Sequence, residues 1–129
     1  MKVEISNGEW LDKLTILEIK LNKIEDENKK ENIRTEMSHL LNDGSVEMLS
    51  SIKEEECSEL RTVNLALWEV EDKLRIKESK SEFDNEFIEL ARSVYVLNDQ
   101  RAEIKRKIND KTNSLLVEEK QYTDYKNDE

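Results

Sequence analysis

The chain has 129 residues, of which 40% are charged, and its formal net charge at pH 7 is −10. Such a charge repels the phosphate backbone of nucleic acids and anionic lipid surfaces, so we expect no nucleic-acid and no membrane partner. No apolar run approaches the ~20 residues of a membrane span, the first residues lack signal-peptide features, and Cys57 is the single cysteine. We therefore expect a cytoplasmic protein without an internal disulfide.

The composition is typical of long helices, with no proline, two glycines and 5% aromatic residues. A first helix is predicted at residues 7–25, where leucines recur with heptad spacing. Ser6 and Glu9 form the capping-box pattern in front of it, and Ile5 and Trp10 are placed for a hydrophobic staple.

The apolar stripe stops after the first helix and resumes at Ile33, on the opposite side of a straight helix. This change of phase favours a break near residues 26–28, with Asn28 and Glu31 as the cap of a second helix. Residues 42–45, Asn-Asp-Gly-Ser, are a strong stop signal and end that helix.

Two longer helices are predicted at residues 46–78 and 82–111, with Ser81 and Asp84 capping the second of them. The weakest part of the earlier helix is the gap in its apolar stripe at Glu54, Glu55 and Glu56, and a start near Cys57 is the alternative. A short link between two long helices makes an antiparallel hairpin.

The predicted fold class is all-α: an elongated antiparallel bundle of three to four helices, built on this hairpin, with the first two helices lying along it. We expect one helical domain at residues 1–122 and a disordered tail at 123–129. A thin core with few aromatic residues buries little surface, which favours a homodimer that shares the core.

Arg101 interrupts the apolar stripe of the last helix, where a buried guanidinium needs a carboxylate partner or an opening. Files of polar residues run beside the stripes of three helices, and if they face each other they line a polar cleft. Such a cleft suits a small anionic or sugar-like ligand, bound by arginine and stacked on aromatic rings. The candidate ligand-binding residues are Asp12, Trp68, Glu71, Arg75, Tyr95, Asn98, Arg101 and Lys105.

The same files have a purely structural interpretation. Long helices often have a seam of salt bridges beside their core, and a polar edge of a dimer contact would have the same spacing. The sequence leaves both interpretations open.

No metal or cofactor is expected. Glu36-x-x-His39 matches half of a di-iron site, but that site needs a second such motif and the chain has one histidine. Cys57 lies among glutamates, which disfavours a thiolate nucleophile.

An enzymatic alternative remains. The pairs Glu56/Glu59 and Glu69/Asp72 resemble the magnesium-binding carboxylates of all-α nucleotide pyrophosphohydrolases, although the gap between them is shorter than in that family and both pairs fall on one predicted helix. Arginine and lysine inside a helical bundle also occur in small helical chorismate mutases, a fold-level analogy. The alternative function is therefore a small all-α enzyme acting on a phosphorylated or nucleotide-linked metabolite.

Three segments carry a resemblance: 3–21, 64–78, and 87–109 with the trailing VEEKQY at 117–122. Together they resemble a family of small helical bacterial and phage proteins of unknown function, in bacteria often near glycan-assembly genes. The resemblance transfers no catalytic residue. It implies that these residues fall inside recurring motifs: Asp12, Lys13, Trp68, Glu71, Asp72, Arg75, Arg92, Tyr95, Asn98, Asp99, Arg101 and Lys105. The leading interpretation is an interaction or ligand-binding module.

Overall fold

The computed structural model describes residues 1–43, 50 and 52–126. In this part of the chain it has no strand, and its described helices are α1 (Asn7–Lys23), α2 (Glu27–Asn42), α3 (Glu54–Ser79) and α4 (Asn85–Lys111). The all-α class and the long hairpin are confirmed. None of the described helices is long and apolar enough to cross a membrane.

Ion pairs at both ends show that α3 and α4 are antiparallel. Lys77, near the end of α3, lies 3.0 Å from a carboxylate oxygen of Asp84 and 3.5 Å from one of Glu86, where α4 begins. At the opposite end, Glu56 of α3 pairs with Lys111 of α4. The two helices, of 26 and 27 residues, therefore run side by side over about 39 Å.

The helix starts differ in part from those that the sequence predicts. The break after α1 is confirmed, but Asp26 caps α2 by accepting a hydrogen bond from the backbone N–H of Lys29, so the predicted Asn28 cap is wrong. At the start of α4 the cap is Asp84 alone. Ser81 lies in the preceding turn with a φ of 54°, so the predicted Ser81 cap is wrong. Each aspartate has extended backbone directly before the first helical residue, which is the N-cap geometry.

The third helix is described from Glu54. Its first turn is closed by the backbone N–H of Lys53, which donates to the carboxylate of Glu56 at 2.9 Å. The predicted start of this helix at residue 46, and the Gly44 and Ser45 part of the predicted stop, lie outside the described residues.

The core lies at the end of the hairpin where α3 begins and α4 ends, and we call residues 54–67 and 101–111 the proximal half. Here α1 packs against both long helices. The contact is close because a Cβ on Gly8 would lie 2.6 Å from the backbone oxygen of Lys105. The buried apolar residues of this core are Trp10, Leu11, Leu60, Val63, Leu67, Ile104 and Ile108.

The second helix packs mainly on α1 and not along the hairpin. Its Ile33 is buried, and the backbone oxygen of Leu40 accepts a hydrogen bond from the indole N–H of Trp10 at 2.9 Å. Both short helices therefore lie at one end of the molecule. The remaining hairpin, residues 68–100, is called the distal half, and Lys77 is its one buried residue.

Candidate functional site

Lys105 is the charged centre of the proximal half. Its ammonium pairs with Glu9 of α1 and lies 3.8 Å from Asp12 Oδ2 and 3.3 Å from Glu118 Oε1. Burial lowers the pKa of Lys105, but the hydrogen bond to Glu9 and the nearby carboxylate charges raise it overall. The charged ammonium thus holds α1, α4 and the segment that follows α4 together. We call Lys105 and these three carboxylates the Lys105 cluster.

Asn64 of α3 extends the Lys105 cluster. Its side-chain Nδ2 donates to Asp12 Oδ1 at 2.8 Å and to Thr15 Oγ1 at 3.0 Å. Exchanging the nitrogen and oxygen of this amide would set two oxygens against each other, so its neighbours fix its orientation. The buried Oδ1 of Asn64 has no hydrogen-bond partner among the described residues.

Ser6 joins the start of α1 to the C-terminal segment. Its hydroxyl accepts from the backbone N–H of Glu9 at 3.1 Å and donates to Glu118 Oε1 at 3.0 Å. The Glu9 carboxylate pairs with Lys105 and Lys13 instead of with the backbone N–H of Ser6. Only the half of the predicted capping box that the Ser6 hydroxyl makes therefore forms. Burial raises the pKa of Glu118, but its bond to Ser6 and the charge of Lys105 lower it overall.

A groove of about 960 Å³ lies between α4 and the C-terminal segment, and we call it the C-terminal groove. Tyr125 closes one part of it: its hydroxyl donates to Asp99 Oδ2 at 2.6 Å, and its ring meets that of Tyr95 edge-on at 4.8 Å between centroids. The hydrogen bond to Asp99 raises the pKa of Tyr125 to about 12. The groove is lined on α4 by Ala91, Val94, Tyr95, Asn98, Asp99 and Arg101, and on the segment by Lys120 and residues 122–126.

Three cations line this groove: Arg101, Lys120 and Lys126. In the part of the chain that the structure describes, none of them has a carboxylate within salt-bridge distance. The two acidic residues of the groove are occupied in part, because Asp99 accepts from Tyr125 and Asp124 accepts from the backbone N–H of Lys126 at 2.9 Å. The charge of Lys120 contributes to the lowered pKa of Glu118, but the groove still offers positive charge that no salt bridge of the described residues holds, in a chain that is strongly acidic.

The structure divides the eight predicted site residues among three places. Tyr95, Asn98 and Arg101 line the C-terminal groove. Arg101 is half-buried beside this opening, which is one of the two surroundings that the sequence analysis allowed for it. Asp12 and Lys105 are brought together in the Lys105 cluster, the salt-bridge seam of the structural interpretation.

The other three predicted residues lie on α3, outside the lining of the C-terminal groove. Trp68 is half-buried, while Glu71 and Arg75 are exposed. Their file continues that of Asn64 into the distal half, where α1 no longer covers the hairpin. The eight residues therefore do not line one common pocket.

Several residues of the site follow α4 and were not singled out by spacing. Glu118 and Tyr125 lie in a stretch with no helical periodicity, so no pattern predicts their contacts with Lys105 and Asp99. The VEEKQY segment at 117–122, which the resemblance includes, is the signal that could have pointed to Glu118. Residues 127–129 of the predicted tail lie outside the described residues.

The carboxylates of the pyrophosphohydrolase-like pattern are separated. Glu56 is buried in a pair with Lys111 and accepts the Lys53 N–H; burial raises its pKa, and these bonds lower it overall. Glu69 and Asp72 are exposed further along α3. Across the described residues, no group of three or more Asp, Glu, His or Cys side chains is arranged to hold a metal ion.

The comparisons with known proteins give a family without a function. No curated protein and no solved structure matches the chain. The model of a family of unknown function, DUF6165, matches residues 1–127, which is nearly the whole chain. The chain therefore belongs to this family of unknown function.

Proposed function

We propose that the protein is a ligand-binding module whose C-terminal groove takes a small anionic ligand that contains a ring, such as a sugar phosphate or a nucleotide. The observation that supports this most directly is the convergence on one groove of Arg101, Lys120 and Lys126, none of which forms a salt bridge among the described residues. In a chain of net charge −10, unpaired cations would otherwise find carboxylates easily.

The side chains around these cations suit such a ligand. A half-buried guanidinium binds a phosphate or carboxylate through two parallel hydrogen bonds, and partial burial strengthens them. Tyr95, Tyr122 and Tyr125 offer ring faces, and Asn98 and Thr123 offer hydrogen bonds to hydroxyl groups. The volume of about 960 Å³ is at the upper end of the range for small-molecule sites, about 300–1,000 Å³.

One wall of the groove is the non-helical segment after α4, and it is held by few contacts. Glu118 pairs with Lys105, Glu119 accepts from Arg106 at 3.0 Å, and Tyr125 binds Asp99. A ligand that bridges α4 and this segment would add to these contacts, so binding should protect the segment from proteolysis.

The choice of probes follows from chemistry and from the resemblance. A cytoplasmic protein of bacterial or phage origin, related to proteins encoded near glycan-assembly genes, would encounter nucleotide sugars and sugar phosphates. A thermal-shift panel of nucleotides, nucleotide sugars and sugar phosphates, each with and without Mg²⁺, followed by calorimetry of any hit, tests the proposal. A ligand at about a hundred times its Kd adds about 2.7 kcal/mol of stability.

Two matched variants locate the site. Arg101→Gln should weaken binding of a hit at least ten-fold, while Arg75→Gln, the same change at an exposed position outside the groove lining, should leave it unchanged. If binding is lost in Arg75→Gln and kept in Arg101→Gln, the site lies on α3 and the proposal is contradicted. A panel in which no probe binds contradicts the proposal as well. Conversion of a hit to product in the presence of Mg²⁺ would instead favour the small all-α enzyme.

A further inference from the structure

The apolar stripe of the distal half is left half-buried by a single chain. Val70 and Leu74 of α3 and Phe87, Leu90 and Val94 of α4 continue the stripe that is buried in the proximal half, but none of them is buried here. Ile88 follows Phe87 on α4, on the flank of this stripe, and is 51% exposed. These six residues are called the distal apolar strip.

The total surface area of the chain is large enough to accommodate such an interface. A compact monomer of 15.3 kDa is expected to expose about 7,100 Å². The chain exposes 9413 Å², an excess of about 2,300 Å² over the surface scaling for compact monomers. The exposed segment 115–126 contributes part of this excess, but a standard interface needs only about 800 Å² from each partner.

The shape of the distal half indicates which partner would fit. It is two antiparallel helices of similar length, closed by a tight turn, with apolar residues between and beside them. Two such hairpins related by a two-fold axis make a four-helix bundle, in which each strip covers the other. The strip is continuous with the core of the proximal half along both helices, as expected when one core extends across a subunit boundary.

We infer that a second copy of this chain packs on the distal apolar strip, so that the protein is a homodimer with a four-helix bundle at its centre. The proximal halves, each covered by its own α1, then lie outside this bundle. The dimer rests on the strip and the ligand on the cations of the C-terminal groove, and the two surfaces meet at Val94, so the dimer is tested in the absence of ligand.

Sedimentation equilibrium of the full chain over the micromolar range, with one matched pair of variants, tests the dimer. The wild-type chain should have about twice the mass of 15.3 kDa, and Ile88→Glu should raise the dimer dissociation constant at least 100-fold because it buries two charges per dimer. Leu41→Glu on α2 is the control. The exposed fraction of Leu41, 49%, is similar to that of Ile88, but Leu41 lies far from the strip in the fold.

The outcomes separate the partners that could cover the strip. A monomeric wild-type chain at every concentration, or a dimer that Leu41→Glu disrupts and Ile88→Glu does not, would overturn the inference. Phe83→Glu, at a position 59% exposed beside Phe87, provides a second test if Ile88→Glu changes the helical content measured by circular dichroism. Retention of the dimer in a folded Phe83→Glu/Ile88→Glu double variant would equally count against it.

Discussion

The proximal and distal halves of the α3–α4 hairpin have the same apolar stripe and differ in what covers it. Leu60 and Leu74 lie on the same apolar stripe of α3, fourteen residues or two heptads apart. In the proximal half α1 lies across the groove between the long helices, and Leu60 is fully buried. In the distal half no third helix is present among the described residues, and Leu74 stays half-buried.

This difference shows that hydrophobic periodicity identifies the helix face that is favourable to bury. It does not show whether another part of the same chain packs on that face. A two-helix hairpin cannot enclose a side chain on all sides, whereas a third helix closes the remaining side. The proximal half, covered by α1, holds the buried core. We propose that the distal half binds a partner and that the C-terminal groove binds a ligand.

The largest expected effect is a direct comparison of the two leucines. Leu60→Ala should lower the free energy of unfolding by about 3–5 kcal/mol, because it leaves a cavity in a closed core. Leu74→Ala should cost about 1–2 kcal/mol in dilute protein, where its side chain is half in water already. Urea denaturation followed by circular dichroism measures both. Equal losses for the two variants would erase the difference between the halves.

The second effect concerns the charges that fasten α1 to the proximal half. Lys105→Met should lower the free energy of unfolding by about 2–4 kcal/mol, because three carboxylates lose their shared ammonium. Lys107→Met, at an exposed position on the same helix, should change it by less than about 0.5 kcal/mol. A Lys105 variant as stable as its control would show that the cluster is not structural.

The pH dependence of the same cluster has a defined sign. The raised pKa of Lys105 means that its contribution is complete below pH 10.5 and is lost as the pH rises through the higher folded value. The lowered pKa of Glu118 means that its contribution is present above pH 4.5 and is lost as the pH falls through the lower folded value. In Lys105→Met the alkaline loss should disappear from the unfolding curves.

A smaller effect is expected where α1 and α4 approach most closely. Gly8→Ala should cost about 1–3 kcal/mol, since the new methyl group would press on the Lys105 backbone oxygen and on Asn109 Oδ1, which accepts the Gly8 N–H at 2.7 Å. Asn22→Ala, at an exposed position of the same helix, should be neutral or slightly stabilising. If both variants melt at the wild-type temperature, the close packing of α1 on the proximal half is contradicted.

The smallest effect is at the edge of the distal half. Tyr125→Phe removes the hydroxyl that binds Asp99 and should leave the melting temperature unchanged while speeding proteolysis of residues 120–126. Tyr122→Phe is the control, because Tyr122 is 75% exposed and its hydroxyl has no hydrogen bond among the described residues. The pKa of Tyr125, raised to about 12, means that its hydrogen bond persists until the pH approaches that value. Similar cleavage rates for the two variants would rule out a tie through Tyr125.

Much of the fold could be predicted from the sequence because heptad spacing and stop signals are local. The hairpin and the break between α1 and α2 follow from them. The caps are harder to predict: Asn28 and Glu31 have the capping-box pattern, but the short carboxylate of Asp26 caps the helix without one. The packing of α2 on α1 depends on tertiary contacts such as Trp10 with Leu40, which no local pattern encodes.

The site could be predicted only in part, for a related reason. Arg101 was recognisable as a polar residue in an apolar stripe, and Lys105 as a member of the file beside it. The surroundings of Lys105 depend on Glu9 and Glu118, which are more than a hundred residues apart in sequence and meet only in the fold. The C-terminal segment has no periodicity, so its return along α4 could not be foreseen from spacing.

Hydrogen exchange along α3 and α4, measured at low and high protein concentration, tests the central contrast most directly. We predict that amides of the proximal half are protected at both concentrations, while those of residues 70–97 exchange faster in dilute protein and gain protection as a second copy covers the distal apolar strip. Equal protection of both halves at every concentration would contradict the account.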